Sequence, residues 1–322
     1  MGATTEDHHA DCVEAAIGAG QAAKSALVAS WCRSSRLHRL DPSSVRPPLR
    51  LTEAELRQTV ERDQPLISAA RSAMNRLCHA VDAIGCCVLL AGREGVPVDR
   101  RGTPADDRTF ESWGLWTGSL WSEEHEGTNG IGTCLAEQRA LTIHRDQHFF
   151  SRNTLLSCSA VPIYDGHARL AGVLDVSSCR ADHTDTMTNL ITLALGEAAR
   201  RIEAELFGCT FAKARIVLVP PTHTRGGGLL AIDRDDLVVG ATRDARLALG
   251  IPPDRLLRPV PAADLLCCED GIHEHLGDAP RATLQRALTR TRGNVSAAAK
   301  ALGVSRATLH RKLKRFDLKP HA

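Results

Sequence analysis

Hydrophobic and polar positions follow different rhythms in different stretches of the chain. From Val13 to Trp31 an Ala-rich run has helical spacing, and Pro-marked breaks follow at Asp41-Pro42 and Pro47-Pro48. Thr52 with Glu55 three residues on predicts a capping box, opening a helix that carries Leu56 and Val60. Leu66–Leu77 predicts a further helix. From about Ala83 to Ser178 the rhythm changes to short strands, Ile84–Leu90 and Ala140–Ile143 among them. Ser159–Ile163 and Leu170–Ser177 flank Tyr164-Asp165-Gly166-His167, which predicts a hairpin. A long helix is expected over Thr184–Leu206, with Met187, Leu190, Ile191, Ala194, Ala198, Ile202 and Leu206 on one stripe. After Gly226-Gly227-Gly228, the runs Leu229–Ile232 and Leu237–Val239 predict a strand pair and Ala241–Leu249 a helix.

The last forty residues have a third pattern. Thr283–Arg290 reads as a helix ended by Gly293, Asn294 caps a second over Val295–Leu302, and Gly303-Val304-Ser305 makes a turn. Ser305 then caps a third helix, whose Leu309 and Leu313 face inward. Arg306, Thr308, His310, Arg311, Lys314 and Arg315 stay outside, as a helix seated in a major groove requires, and with the caps Asn294 and Ser305 they form the expected DNA-binding set. Arg306 is placed for a guanine edge, and Arg311, Lys314 and Arg315 for phosphates. Charge changes the picture further. The net charge of +2 conceals a tail of +10 over residues 281–322 and a body of −8 before it, which points to nucleic acid.

Residues 281–319 resemble the DNA-binding segment of the Fis nucleoid protein and of bacterial enhancer-binding activators. Ser30-Trp31-Cys32-Arg33-Ser34 with Leu40-Asp41-Pro42 resembles the N-terminal signature of the acetoin-catabolism regulator family. So do Glu126-Gly127-Thr128-Asn129-Gly130-Ile131-Gly132-Thr133, Gln147-His148-Phe149, Ser157–Ile163 and Gly172–Ser177, which are similar to that family's GAF sensor domain. The resemblance implies an α+β chain, with a helical segment over 1–60 and a GAF sensor with an antiparallel sheet over 61–208. Leu229–Leu249 separately resembles the opening strand pair and first helix of a PAS domain, giving a truncated PAS-like αβ unit over 225–268. A linker over 269–280 and an all-α Fis-type helix-turn-helix over 281–322 complete it. Activators of this family usually carry an AAA+ ATPase between sensor and DNA-binding helices. Here about thirty residues stand in that place, and the chain contains neither a GxxxxGK[ST] phosphate loop nor a GAFTGA sequence.

For a sensor of this kind, Trp113, Trp116 and Trp121 are the candidate pocket walls, and His148 and Cys158 the candidate polar contacts. The glycines of the Glu126–Thr133 run are read as a tight turn before a helix rather than a phosphate cradle. Cys267, Cys268, His273 and His275 lie within nine residues, and His144 and His148 four apart, but neither spacing earns a metal assignment. No cofactor is expected. Eleven cysteines, an odd number with no CxxC, read as reduced thiols. The opening residues lack an export pattern and no apolar run reaches membrane-helix length, so a cytoplasmic, nucleoid-associated protein is expected. The reading is a transcription regulator without ATPase activity, not an enzyme. Its partners are double-stranded DNA, a small-molecule effector, a second copy of itself and, as a candidate, RNA polymerase. A GAF-type thiol reductase and an architectural DNA-binding protein are the competing classes.

Overall fold

The computed structural model describes residues 5–81, 84–180, 184–221, 227–252, 259–266 and 280–318. The chain divides into two compact units, one formed by residues up to Asp165 with Arg169–Leu206, the other by Phe207 onward with Gly166–Ala168.

The first unit opens with helices α1 (Thr5–Gly18) and α2 (Ala26–Cys32). The single helix expected over Val13–Trp31 is divided because Gly20 adopts φ of 67°, outside the helical range. Helix α3 (Glu53–Arg62) begins at the expected capping box, with the Thr52 amide donating to Glu55 Oε2 at 2.8 Å. Helix α4 (Gln64–Val81) turns Ile67, Ala70, Met74, Leu77 and Val81 inward. There follow β1 (Cys86–Gly92), β2 (Pro97–Arg101), α5 (Asp107–Ser112), α6 (Glu123–Glu126), α7 (Gly130–Glu137), β3 (Leu141–His144), β4 (Ser157–Tyr164), β5 (Leu170–Ser178) and α8 (Asp185–Thr210).

The five strands form one antiparallel sheet in the order β2-β1-β5-β4-β3. Both faces are covered, which is why β1 reads as an uninterrupted apolar run. Cys86, Val88 and Leu90 join α4 and α8 on one face. Cys87, Leu89 and Ala91 join Phe110, Trp121 and Ile131 on the other. A smaller cluster packs Val13, Ile17, Val28 and Trp31 of the first two helices on Phe149 and Phe150. The apolar stripe of α8 is occupied by this unit's own core: Ile191, Ala198, Ile202 and Leu206 are all buried there, while Leu190 is 62% exposed.

In the second unit, β6 (Arg215–Val219), β7 (Gly228–Ile232), β8 (Leu237–Ala241), α9 (Arg243–Ala248), β9 (Val260–Pro261) and α10 (Ala262–Leu266) build a sheet ordered β6-β7-β8-β9. It starts at Arg215, ten residues before the expected unit. Three helices close the described chain: α11 (Pro280–Arg290), α12 (Val295–Ala301) and α13 (Arg306–Arg315). Helix α11 is tied to acidic residues of the β7–β8 turn and of α10. Arg281 pairs with Asp235, Arg286 with Asp236 at 3.1 Å, and Arg290 with Asp264 at 2.6 Å. Among the described residues, no helix is long and apolar enough to cross a membrane. The expected linker over 269–280 and the cluster Cys267, Cys268, His273 and His275 lie outside the described residues, except for Pro280.

Candidate functional site

Both caps expected in the C-terminal helices form. Asn294 Oδ1 accepts from the amides of Ser296 and Ala297, each at 3.1 Å, and Ser305 Oγ accepts from the Thr308 amide at 3.1 Å. These bonds satisfy donors that a helix start leaves open, and they fix where α13 begins. Gly303, at φ of 63°, supplies the turn between α12 and α13. Ala298 and Ala299 are buried with Leu284, Leu288, Leu309 and Leu313, so small side chains let α12 lie close to its neighbours. On the outside, Arg306, His310, Arg311, Lys314 and Arg315 are exposed, and Thr308 is half-buried beside its cap. Of the residues expected to touch DNA, all but Asn294, which caps α12, lie on α13 or at its cap, with their basic groups open to water.

In the first unit, the two quoted motifs meet. Arg33 holds Glu123 by a two-pronged pair, Nε to Oε2 and Nη2 to Oε1, both at 2.8 Å, and reaches Glu137 at 3.2 Å. Ser30 Oγ donates to Glu123 Oε1 at 2.5 Å and lies 2.7 Å from Thr128 Oγ1. Trp31 Nε1 donates to the Gln147 carbonyl at 2.9 Å. Glu123 is almost fully buried, so this fork supplies the countercharge that its burial demands, and it raises the Arg33 guanidinium further. The Glu126–Thr133 glycines are packing positions. A Cβ on Gly130 would lie 2.7 Å from both Asp175 Oδ1 and Cys158 Cβ, and one on Gly132 would lie 2.5 Å from the Glu123 amide nitrogen. Gly130 lets helix α7 approach the sheet, and Gly132 lets it approach the backbone at Trp121 and Glu123.

The five candidate pocket residues divide. Trp121 is buried with Cys158 in the core over α7's face of the sheet, Trp113 packs on the same cluster, and Trp121 Nε1 donates to the Gly114 carbonyl at 2.7 Å. Trp116 instead covers the Arg100 guanidinium at 4.4 Å. His148 is wholly buried; a ring nitrogen sits 3.0 Å from the Arg145 carbonyl, and burial lowers its pKa to about 4, so the ring is neutral. Cys158 has its thiol beside Ser177 Oγ at 3.1 Å.

Sequence reading missed the group beneath α7. Asp175 lies fully out of water, accepts from Ser177 Oγ at 2.6 Å through Oδ2, and leaves Oδ1 without a partner. Burial pushes its carboxyl up to about 7. Glu126 is likewise raised to about 7 by burial, against the opposing pull of its Arg152 partner. The thiols follow the same physics. Burial pushes Cys86 to about 11 and holds Cys87, Cys134 and Cys158 well above the usual thiol range. His144 Nδ1 is 2.9 Å from Ser157 Oγ, and among the described residues no three His, Cys, Asp or Glu side chains are placed to hold a metal ion.

Comparison with known proteins places both parts. Residues 279–316 match the bacterial regulatory protein, Fis family. The chain is 31% identical over 233 residues to the acetoin catabolism regulatory protein of Cupriavidus necator, covering 68% of this chain and 34% of that relative. It is 28% identical to MimR, the propane 2-monooxygenase operon transcriptional activator of Mycolicibacterium smegmatis, covering 71% of this chain and 38% of MimR. It thus spans little more than a third of the length of these relatives. Among solved structures, the Escherichia coli DhaR(N)–DhaL complex shares the fold, with a TM-score of 0.53 and 15% identity over 70% of this chain and 77% of that one. Residues 7–203, well over half of the sequence, match the MimR N-terminal domain, and the chain belongs to that family.

Proposed function

We propose that this chain is a sequence-specific DNA-binding transcription regulator whose N-terminal unit senses a small molecule. The observation that carries the reading is α13: a capped helix whose two leucines are buried and whose basic side chains stand in water. In this reading Asn294 and Ser305 position the helices and Arg306 reads a base edge. Thr308, His310, Arg311, Lys314 and Arg315 contact the backbone or neighbouring bases. The relatives are named for acetoin catabolism and for a propane monooxygenase operon, and another, from Citrobacter freundii, for a glycerol metabolism operon. Acetoin, propane and glycerol are uncharged and have three or four carbons, and we assign the effector to that class. Output is through DNA occupancy and contact with RNA polymerase, without nucleotide hydrolysis, since no phosphate loop is present to cradle a triphosphate.

A non-enzymatic role is favoured over a thiol reductase by the raised thiols, because a thiol held protonated in an apolar core is a poor nucleophile. Two half-sites call for a homodimer. The exposed Leu190 and Leu193 of α8, rather than its buried stripe, are the apolar contacts left for it. Footprinting on the adjacent intergenic DNA, with the full chain and with a version lacking residues 281–322, tests the reading. Protection by the full chain and none by the shortened one supports it, and equal protection by both rejects it.

A further inference from the structure

Where α2, the C-terminal half of α7 and edge strand β3 meet, the first unit leaves a half-open cavity of about 190 Å³, lined by Ser30, Thr133, Glu137, Arg139, Leu141 and Gln147 among others. None of the five pocket residues expected from the sequence lines it. We propose that this seam is the effector site, and that it takes an uncharged molecule of about six to eight non-hydrogen atoms bearing neighbouring oxygen functions. The inference rests on the reading of this unit as a small-molecule sensor.

Three features of the lining set the ligand class. Size comes first: a cavity of about 150 Å³ accepts a six-carbon ring, so about 190 Å³ suits six to eight heavy atoms. Charge is next. The two ionic side chains of the lining neutralise each other, Glu137 and Arg139 being paired at 2.5 Å, so an ion entering the cavity meets no net countercharge. Chemistry completes the match. Leu27, Leu141 and Ile143 offer an apolar side, while Ser30, Thr133 and Thr142 bring hydroxyls that are each also bonded within the unit, to Glu123 Oε1, the Asn129 amide and Ser159 Oγ. Gln147, whose Oε1 accepts from the His144 amide at 2.9 Å, keeps its Nε2 as a donor to an occupant. A short carbon body with adjacent hydroxyl or carbonyl groups meets both.

The location also explains how occupancy would be felt. Ser30 belongs to the Glu123 network, and Glu137 is shared between Arg33 and Arg139. A molecule in the seam therefore bears on the ion pairs that fasten α2 to α7.

The test is calorimetric titration of the full chain with glycerol, butane-2,3-diol and 3-hydroxybutan-2-one, with the melting temperature followed in parallel. At least one probe should bind with one site per chain and raise the melting temperature. Ala26 is exposed at the mouth, so Ala26→Phe should plug the cavity, weakening binding at least tenfold while leaving the unliganded melting temperature unchanged. If that variant melts early by itself, Ala26→Leu makes the same comparison with a smaller plug. Binding as tight in the plugged variant as in the wild type overturns the site and leaves the effector class standing. No heat from any of the three probes overturns the site together with its ligand class, while the DNA-binding reading stands or falls on its own footprint.

Discussion

Asp175 holds its carboxyl wholly out of water beneath α7, and burial lifts it to about 7 from an unfolded value near 3.9. Between those values the folded chain keeps a proton that the unfolded chain has lost, so this group's contribution falls as pH rises. Glu126 acts in the same direction up to about 7. His148, lowered to about 4, acts in the opposite one: from about 4 to 6.5 the unfolded chain binds the extra proton, and stability rises with pH. Because these terms overlap, the clean observable is a difference. The stability of Asp175→Asn minus wild type should move in the variant's favour from about pH 4.5 to 7, by up to about 1.4 kcal/mol per pH unit. A difference that stays flat over that range refutes the shift. Arg33 makes the second residue-scale case. Arg33→Ala strands the buried Glu123 and should cost on the order of 2 kcal/mol in chemical denaturation, below the ~3–5 of a fully buried pair because a third of the Arg33 side chain stays in water. A loss under about 0.5 kcal/mol would show that the fork is incidental.

At the scale of elements, α8 separates two roles that its sequence merges. Ile202 is fully buried against the sheet, so Ile202→Glu should unfold the first unit rather than split a dimer. Leu193 is 71% exposed, and Leu193→Glu should leave the fold intact by circular dichroism while shifting the proposed dimer to monomer in sedimentation. A dimer that survives Leu193→Glu places the contact elsewhere. Spacing located this helix, as it located the capping box, the β4–β5 hairpin and the three C-terminal helices, because local rhythm and caps decide those. It could not say what covered the stripe, since Leu190 and Ile191 are adjacent apolar residues and only the packed sheet makes one outside and the other inside. Strand β2 escaped notice for a related reason. Pro-Val-Asp-Arg-Arg has no alternation, and its pairing is imposed by β1 at the sheet's edge, where a leading proline is tolerated. The motif residues Ser30 and Arg33 stood out as resemblance, yet their role as partners of the buried Glu123 appears only when segments ninety residues apart meet. Asp175 lay within the Gly172–Ser177 resemblance but gave no signal of its burial, because one aspartate in an apolar strand reads as an exposed position.

Across the whole chain, charge is divided between an acidic body and a basic end, and the structure divides the basic end again. Arg281, Arg286 and Arg290 of α11 pair with the aspartates of the β7–β8 turn and of α10. Arg306, Arg311 and Lys314 of α13 remain exposed. Only the second set is available to displace counterions from DNA. Since the slope of log affinity against log salt is about −0.9 per phosphate neutralised, the two sets should separate in a salt titration. Lys314→Ala should reduce the slope by about 0.9 for each subunit bound and weaken cognate and non-cognate DNA alike. Arg306→Ala should instead cost about 1–3 kcal/mol on the cognate site and flatten the preference between sites. Arg286→Ala should leave the slope where it was, because its guanidinium is already held by Asp236 and Thr283. Fluorescence anisotropy between about 50 and 200 mM salt reads all three. A slope that falls for Arg286→Ala and holds for Lys314→Ala would turn the helices around, making α11 the DNA-facing element.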